Sequence, residues 1–219
     1  MHKLVFTILV HGLPDTQTGI AHEVLCEALG NANSQVRELA VVALSELPVS
    51  PAKRVAALSR ALQDNGSRVR RRAARALGDF GAHALLALPL LTAGLKDSDA
   101  SVRRDCAGTL GRLGPAAHAA APSLVALLGD PETRTRVVAA AALKRIGRGV
   151  IPALISGLRH GDPDTRARCA TLLGTTGTDD ERAADALRAA LDDRDFDVRD
   201  RAEAALESLA IPFTALVPV

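Results

Sequence analysis

Residues 67–81 read SRVRRRAARALGDFG, and this stretch recurs in altered form at five other places in the chain. Its arginine Arg70, which follows a valine, has an equivalent in every copy and serves as position zero of the repeat. These arginines are Arg37, Arg70, Arg103, Arg136, Arg166 and Arg199, at intervals of 33, 33, 33, 30 and 33 residues. A fixed period of about 20 to 50 residues is typical of stacked-repeat proteins.

Three positions of the repeat hold leucine in all six copies. Position −12 holds Leu25, Leu58, Leu91, Leu124, Leu154 and Leu187. Position −8 holds Leu29, Leu62, Leu95, Leu128, Leu158 and Leu191. Position +7 holds Leu44, Leu77, Leu110, Leu143, Leu173 and Leu206. The leucines predict a shared core, because a thin repeat must bury its apolar face against its neighbours.

The spacing within a copy is helical. In the second copy Val69, Ala73, Leu77 and Phe80 follow the three-to-four-residue step of one helix face. Positions −12 and −8 are four residues apart and belong to a preceding helix. A polar turn separates the two helices, so each copy is predicted to be a helical hairpin.

The ends of the second helix also carry signals. Aspartates at position −4 are predicted N-caps, namely Asp99, Asp162 and Asp195. Glycines at position +11 are predicted to end the helix, namely Gly81, Gly114, Gly147 and Gly177.

The repeat arginine itself needs an explanation, because a cation in the first helical turn faces the positive end of the macrodipole. An acidic residue stands six positions earlier in most copies, in the turn. We therefore predict a structural ladder of ion pairs within repeats, joining turn to helix. Its members are Asp64–Arg70, Asp97–Arg103, Asp130–Arg136 and Asp193–Arg199. His160 interrupts the ladder in the fifth copy, which follows the short 30-residue interval, and we expect a short loop and altered stacking there.

The pattern resembles HEAT repeats, in the short variety typified by phycobilisome-lyase-type proteins. The core VRxxAAxALGxxG, the turn aspartate and a proline at position −14 carry the resemblance over residues 18–210. It implies an all-α fold, a right-handed α-α superhelix of six helical hairpins in a single domain. The predicted segments are an N-terminal cap at 1–17, repeats at 18–48, 51–81, 82–114, 115–147, 148–177 and 178–210, and an apolar tail at 211–219.

The two ends lie outside the repeat pattern. The apolar run at 4–10 is too short to span a bilayer. It is predicted to be a cap helix, with a signal peptide or the last helix of an upstream repeat as alternatives. The uncharged tail at 211–219 contains two prolines and is predicted to fold back on the last hairpin, with a docking segment as the alternative.

Composition restricts the function classes. The formal net charge is only +2, so bulk charge indicates no particular partner. Charge is uneven, however: residues 51–80 are strongly basic and residues 179–207 are strongly acidic. Cys26, Cys106 and Cys169 form an odd set, and two of them occupy core positions. They are predicted to be free thiols of a cytoplasmic protein.

No catalytic, cofactor-binding or metal-binding residue is predicted. The six histidines share no repeat position and have no metal-ligand spacing with cysteine. Deoxyhypusine hydroxylase, also a HEAT-type protein, carries repeated His-Glu iron ligands directly after the repeat arginine, whereas His22-Glu23 here is a single pair out of that register. The chain also lacks the Trp and Tyr that HEAT-like DNA glycosylases would use for stacking.

A binding surface remains. Positions +1, +2, +5 and +9 point away from the buried face of the second helix, and the HEAT resemblance places that surface on the concave side. The predicted partner-binding residues are Arg71, Arg72, Arg75, Arg104, Arg112, Arg145 and Arg168, and Arg201 shares their position. A merely solvated face, with Glu38, Asp79, Asp105 and Asp200 offsetting the charge, is the alternative.

We therefore predict a monomeric, non-catalytic scaffold or adaptor that binds a protein partner, with an acidic segment as the candidate ligand, without a cofactor and without a membrane. The alternatives are a nucleic-acid-binding protein and a bilin lyase or chaperone-like factor. An iron-dependent hydroxylase is disfavoured by the missing His-Glu pairs.

Overall fold

The computed structural model describes residues 15–177 and 179–209. Within them the chain is all-α, as predicted, with helices paired into hairpins and no strand. Residues 1–14 of the predicted cap and the whole predicted tail at 211–219 lie outside the described residues. The chain divides into two compact units, Met1–Leu113 and Gly114–Val219. The organisation of all six repeats as a single solenoid stays a prediction.

Unit 1 contains three hairpins. Their helices are α1 (Asp15–Ala28) and α2 (Ser34–Glu46), α3 (Pro51–Ala61) and α4 (Ser67–Leu77), and α5 (Leu88–Gly94) and α6 (Ala100–Leu113). The 3-10 segment Gly78–Ala87 joins α4 to α5. The second helices pack consecutively, α2 on α4 and α4 on α6.

Unit 2 repeats this plan. Its helices are α7 (Ala121–Ala126) and α8 (Thr133–Ile146), α9 (Ile151–His160) and α10 (Pro163–Thr176), and α11 (Glu181–Ala190) and α12 (Phe196–Ser208). Its 3-10 segments are Gly114–Ala120, Leu127–Gly129 and Gly147–Val150. The last of these is the short loop predicted from the 30-residue interval, whereas the altered stacking there stays a prediction.

The leucine positions form the core, as the repeat predicts. At position +7 all six leucines are buried, five of them completely. Positions −12 and −8 are buried as well, apart from Leu25, Leu29 and Leu191, which are half-buried. These three belong to the first and sixth hairpins, which have a described neighbouring hairpin on one side only.

Helix ends follow the predicted signals with one difference. The Asp99, Asp162 and Asp195 side chains accept main-chain N–H groups of the helices that follow them. Gly147 and Gly177 end α8 and α10, and Gly114 follows α6. Helix α4, however, ends at Leu77, and Gly81 instead marks a break inside the 3-10 segment, where its φ of 51° favours glycine.

The break at Gly81 divides residues Ser67–Gly94, a run that has the length and composition of a membrane-spanning helix. The run is not one helix, because Gly81 separates α4 from the segment that leads into α5. Leu77, Ala84 and Leu91 within it are completely buried. These residues belong to the core of unit 1, whereas most of the apolar window of the run is not buried.

The arginine ladder exists, but the pairing predicted within each repeat is wrong. Three turn aspartates each receive the arginine of the preceding repeat, 27 residues earlier. In one of these pairs, Arg70 Nε and Nη2 donate to the Asp97 carboxylate at 2.7 Å each. Arg37 pairs in the same way with Asp64, and Arg166 with Asp193. The bidentate pairs therefore join consecutive hairpins.

Within its own repeat the arginine binds main-chain carbonyls instead. Arg70 Nη1 donates to the Asp64 carbonyl at 2.8 Å, and Arg103, Arg136 and Arg199 make the equivalent bond to Asp97, Asp130 and Asp193. The aspartate carboxylate meanwhile accepts the N–H two residues further on, which fixes the turn. One guanidinium thus holds its own turn by carbonyls and the next turn by a carboxylate.

The fifth repeat departs from this arrangement, as the sequence predicts. Helix α9 continues through His160, so no carboxylate stands at that point of the turn. Arg136, the preceding repeat arginine, donates to Thr133 Oγ1 of its own helix at 2.8 Å. Asp162 caps α10 through the N–H and hydroxyl of Thr165.

A second contact within hairpins explains why two core positions hold cysteine. A methyl group added to Gly94 would lie 2.5 Å from Cys106 Sγ, and one added to Gly157 would lie 2.7 Å from Cys169 Sγ. Three other repeats hold alanine at both equivalent positions, namely Ala28 and Ala40, Ala61 and Ala73, and Ala190 and Ala202. A glycine facing a cysteine and an alanine facing an alanine thus fill the same space between the two helices of a hairpin.

We expect Gly94→Ala to lower the free energy of unfolding by about 1 to 3 kcal/mol, because the added methyl overfills a packed core. Adding Cys106→Ala should recover the stability of the native protein, since the pair then matches the alanine repeats. Urea denaturation of the two single variants and the double variant measures this. A Gly94→Ala variant as stable as the native chain would show that Cys106 is not tightly packed.

Candidate partner-binding surface

The arginine pocket is a cavity of about 480 Å³ in unit 1, on the second-helix side between α2 and α4. Arg71, Arg72 and Arg75 line it from α4, so the structure brings together three of the predicted partner-binding residues. Arg54 of α3 lines it as well and was not predicted. The remaining lining residues are Val41, Val42, Ser45, Glu46, Ala76, Asp79 and Phe80.

Two of the four arginines are already engaged. Arg72 Nε donates to the Glu38 carboxylate of α2. Arg54 donates from Nη1 to the Ser45 carbonyl at 3.2 Å, and its guanidinium lies 4.8 Å from the centre of the Phe80 ring. Its buried Nε–H has no hydrogen-bond partner among the described residues.

The side chains of Arg71 and Arg75, unlike those of Arg72 and Arg54, have no partner within the described part of the chain. Neither side chain makes a hydrogen bond or ion pair with any residue in the described ranges. They stand four residues apart on α4 and therefore on the same helix face, about 5 to 6 Å apart at Cβ. Two unpaired guanidinium groups on one pocket wall are suited to binding an anion.

Arg112 has a structural contact instead. Its Nη2 donates to the carbonyl of Arg75 at 3.1 Å and to Thr109 Oγ1 at 3.0 Å, so it covers the C-terminal end of α4. The guanidinium lies where a side chain at Gly78 would be, 1.7 Å from an added methyl. Arg112 does not line the pocket.

The sequence contained a signal for this contact. Gly78, at +8 of its repeat, faces Arg112, at +9 of the next, because a helix end without a side chain at that point lets another side chain reach its last carbonyls. The same relation recurs in unit 2, where Ser208 Oγ donates to the Gly174 carbonyl at 3.1 Å.

In unit 2, Arg168 and Arg201 line a second cavity of about 450 Å³ with Lys144, Asp164 and Asp197. Arg168 is engaged there, since it donates to the Leu128 carbonyl and to Asp164. Arg145 is exposed on α8 and Arg104 is half-buried on α6, and neither lines one of these cavities. The predicted partner-binding arginines therefore do not line one common cavity.

A third cavity, of about 650 Å³, lies on the first-helix side of unit 2, between α7 and α9. Small and apolar residues such as Ala121, Pro122 and Pro152 form most of its wall, and His118 and His160 also line it. Sequence reasoning did not find this cavity, because alanine, proline and glycine carry no functional signal of their own.

Reactive groups are few in the described ranges. Burial raises the pKa of the Cys106 and Cys169 thiols to about 12, so both stay protonated at neutral pH. Burial also raises the pKa of Cys26, whose Sγ lies 3.7 Å from the His22 ring. In residues 15–177 and 179–209, no group of three or more His, Cys, Asp or Glu residues could hold a metal ion.

Comparisons with known proteins agree with this geometry. The family model for HEAT repeats matches residues 22–104, 86–144 and 121–207. No curated protein matches the sequence. Among solved structures, importin beta is 16% identical with a TM-score of 0.67 over 93% of this chain, which spans 33% of that chain.

Two further structures are similar. One, described by TOG–tubulin binding specificity, is 18% identical with a TM-score of 0.57 and covers 77% of this chain and 82% of its own. The other is a computationally designed armadillo repeat protein for modular peptide recognition. It is 16% identical with a TM-score of 0.53 and covers 84% of this chain and 98% of its own. At these identities the likeness shows the fold.

Proposed function

Because the chain belongs to the HEAT-repeat family, we propose that it is a non-catalytic adaptor that binds an acidic segment of a partner protein in the arginine pocket. The HEAT and armadillo folds commonly mediate protein interaction, and two similar structures are described by tubulin binding and by peptide recognition. The proposal includes a cytoplasmic monomer, which is consistent with three free cysteines.

One observation carries the proposal: Arg71 and Arg75 line the same pocket and are unpaired among the described residues. Like charges four residues apart destabilise a helix by a few tenths of a kcal/mol, roughly. An acidic ligand would remove this repulsion and satisfy both guanidinium groups. If the face is merely solvated, water satisfies both guanidinium groups and no acidic peptide binds, so the peptide assay distinguishes the two alternatives.

Reversal of Arg71, Arg72 and Arg75 to glutamate should weaken binding of an acidic peptide at least about tenfold, because three favourable charges become repulsive. A labelled nonapeptide with aspartate or glutamate at alternate positions is the probe, and fluorescence anisotropy at low salt gives the Kd. Reversal of Lys53, Arg60 and Arg68 is the matched control, since these exposed residues of unit 1 do not line the pocket.

The same assay includes nucleic acid. A labelled single-stranded DNA and a duplex should bind only weakly, and any binding should decline steeply with salt. DNA binding that depends on the pocket arginines, without peptide binding, would replace the adaptor proposal by a nucleic-acid function. Equal peptide binding by the two triple variants, with helicity intact by circular dichroism, would also overturn it.

A further inference from the structure

We propose that the arginine pocket recognises a phosphorylated serine or threonine side chain within the acidic segment, so that phosphorylation of the partner controls binding. The inference rests on the proposed function and specifies the ligand of the same site. The chemical group it requires is a phosphate monoester dianion, carried on a peptide.

The number of free donors favours this group over a carboxylate. Each guanidinium has five N–H donors in a planar fork, and a carboxylate has only two oxygens to share between two such forks. Arg71 and Arg75 offer two unpaired forks on one face of α4. A phosphoryl group has three terminal oxygens, so it can accept from both forks at once.

Arg54 supplies an independent observation. It lines the same pocket, and its buried Nε–H has no acceptor among the described residues. A buried donor without an acceptor is unfavourable in the free protein. The stacking of its guanidinium on Phe80 and its bond to the Ser45 carbonyl hold this donor in place. Because this Nε atom is closed off from solvent, a ligand oxygen could accept from it only after the Arg54 guanidinium turns toward the pocket.

The walls of the pocket suit a single side chain. Val41, Val42 and Ala76 form an apolar wall that can contact the short carbon stem of a phosphorylated serine or threonine. The lining contains no Tyr or Trp, and its one ring, Phe80, is covered by Arg54. A platform on which nucleic-acid bases could stack is therefore absent from this described pocket.

Charge distinguishes the monoester from the phosphodiester of nucleic acid. A phosphoserine has a second pKa of about 6 and is a dianion at pH 7.5, whereas a phosphodiester carries one charge at every pH above about 2. The titratable and charged groups around Arg71 and Arg75 are Glu38 and Glu46 on α2, Arg54 on α3, Arg72 on α4, Asp79 after it, and Arg112 on α6, which donates to the Arg75 carbonyl. No histidine lines the pocket, so between pH 5.5 and 7.5 the ligand itself should titrate.

The test uses three labelled nonapeptides that carry the same flanking aspartates and differ only in the central residue: phosphoserine, glutamate or serine. We expect the phosphoserine peptide to bind the full chain at least about tenfold more tightly than the glutamate peptide at pH 7.5, through its additional charged hydrogen bonds. This advantage should fall about threefold or more at pH 5.5, as the dianion is protonated.

Single variants locate the site. Arg71→Gln and Arg75→Gln should each remove most of the phosphoserine preference, while Arg68→Gln, an exposed change of equal charge on the same helix, should preserve it. A central phosphodiester, made by methylating the phosphate, should bind no better than glutamate.

The outcomes separate this inference from the proposed function. Equal affinity for the phosphoserine and glutamate peptides, lost on charge reversal, would overturn the inference and leave the adaptor proposal standing. A preference that is insensitive to Arg71→Gln and Arg75→Gln would also overturn it, by placing the phosphate elsewhere. Absence of binding by all three peptides would count against both.

Discussion

Replacing Leu110 by alanine should lower the free energy of unfolding by about 2 to 5 kcal/mol, the range typical of a buried leucine. Leu110 is at position +7 of the third repeat, on α6, and is completely buried. Its removal leaves a cavity in a close-packed interior, and the surrounding helices can relax only in part. Because repeats depend on their neighbours, the loss should destabilise the adjacent hairpin as well.

Urea denaturation followed by circular dichroism measures this change. Leu86→Ala is the matched control, since Leu86 lies on the 3-10 segment of the same unit with 70% of its surface exposed. The control should stay within about 0.5 kcal/mol of the native chain. A change below about 1 kcal/mol for Leu110→Ala would mean that the leucine positions are not the core of the repeat.

The leucine positions could be predicted from the sequence because burial depends on periodicity within one chain segment. Helix caps were predictable for the same reason: Asp162 and the groups that it caps are close neighbours in sequence. Even the interruption at His160 followed from a single substitution at a fixed repeat position. Local rules therefore determine most of this fold.

Contacts between repeats were harder to predict. The spacing placed Asp97 and Arg103 in one repeat, and the structure pairs Asp97 with Arg70 of the repeat before. Which arginine pairs with Asp97 depends on the offset between stacked hairpins, and the length of the repeat does not determine that offset. A repeat arginine reaches two turns, and only the stacking geometry decides which one supplies the carboxylate.

The candidate site shows the same limit. Sequence reasoning found Arg71, Arg72 and Arg75 because they share one helix face. It did not find that Glu38 of the preceding repeat pairs with Arg72, or that Arg54 of α3 enters the same pocket. The difference between a paired and an unpaired arginine is a property of packing between helices, and it now distinguishes Arg71 and Arg75 from the rest.

The second prediction concerns the ladder between hairpins. A double-mutant cycle with Arg70→Met and Asp97→Asn should give a coupling energy of about 2 kcal/mol, as expected for bidentate hydrogen bonds between charged groups. The two side chains are 14% and 11% exposed, so water screens the pair far less than a surface ion pair. Asn keeps the acceptor for the Asp99 N–H, so the turn itself should persist.

A surface pair is the comparison. Arg188 and Asp185 are also in contact, at 2.6 Å, but the Asp185 side chain is 70% exposed. The same cycle there should give at most about 0.5 kcal/mol. Equal coupling energies for the two pairs would show that burial between hairpins adds nothing to the ladder.

Acid should weaken the ion pairs of the ladder, because their aspartates lose their charge when they are protonated. Burial alone would raise the pKa of Asp97, but the hydrogen bonds from Arg70 and the Asp99 N–H, with the charge of Arg70, hold it below its ordinary value. The pKa of Asp64 is likewise lowered by Arg37, and that of Asp193 by Arg166. A lowered pKa in the folded state gives stability that is present above the unfolded carboxyl pKa of about 3.9.

That stability is lost as the pH falls through the folded pKa, so the Arg70–Asp97 coupling should be the same at pH 7 and pH 5 and should decline below about pH 4. Urea denaturation of the cycle variants across this range gives the coupling at each pH. A coupling near zero at pH 7 that does not change on acidification would mean that Arg70 is held by the Asp64 carbonyl and by packing of its stem, with the Asp97 charge contributing little. Since those contacts lie within one repeat, the leucines alone would then have to keep neighbouring hairpins in register.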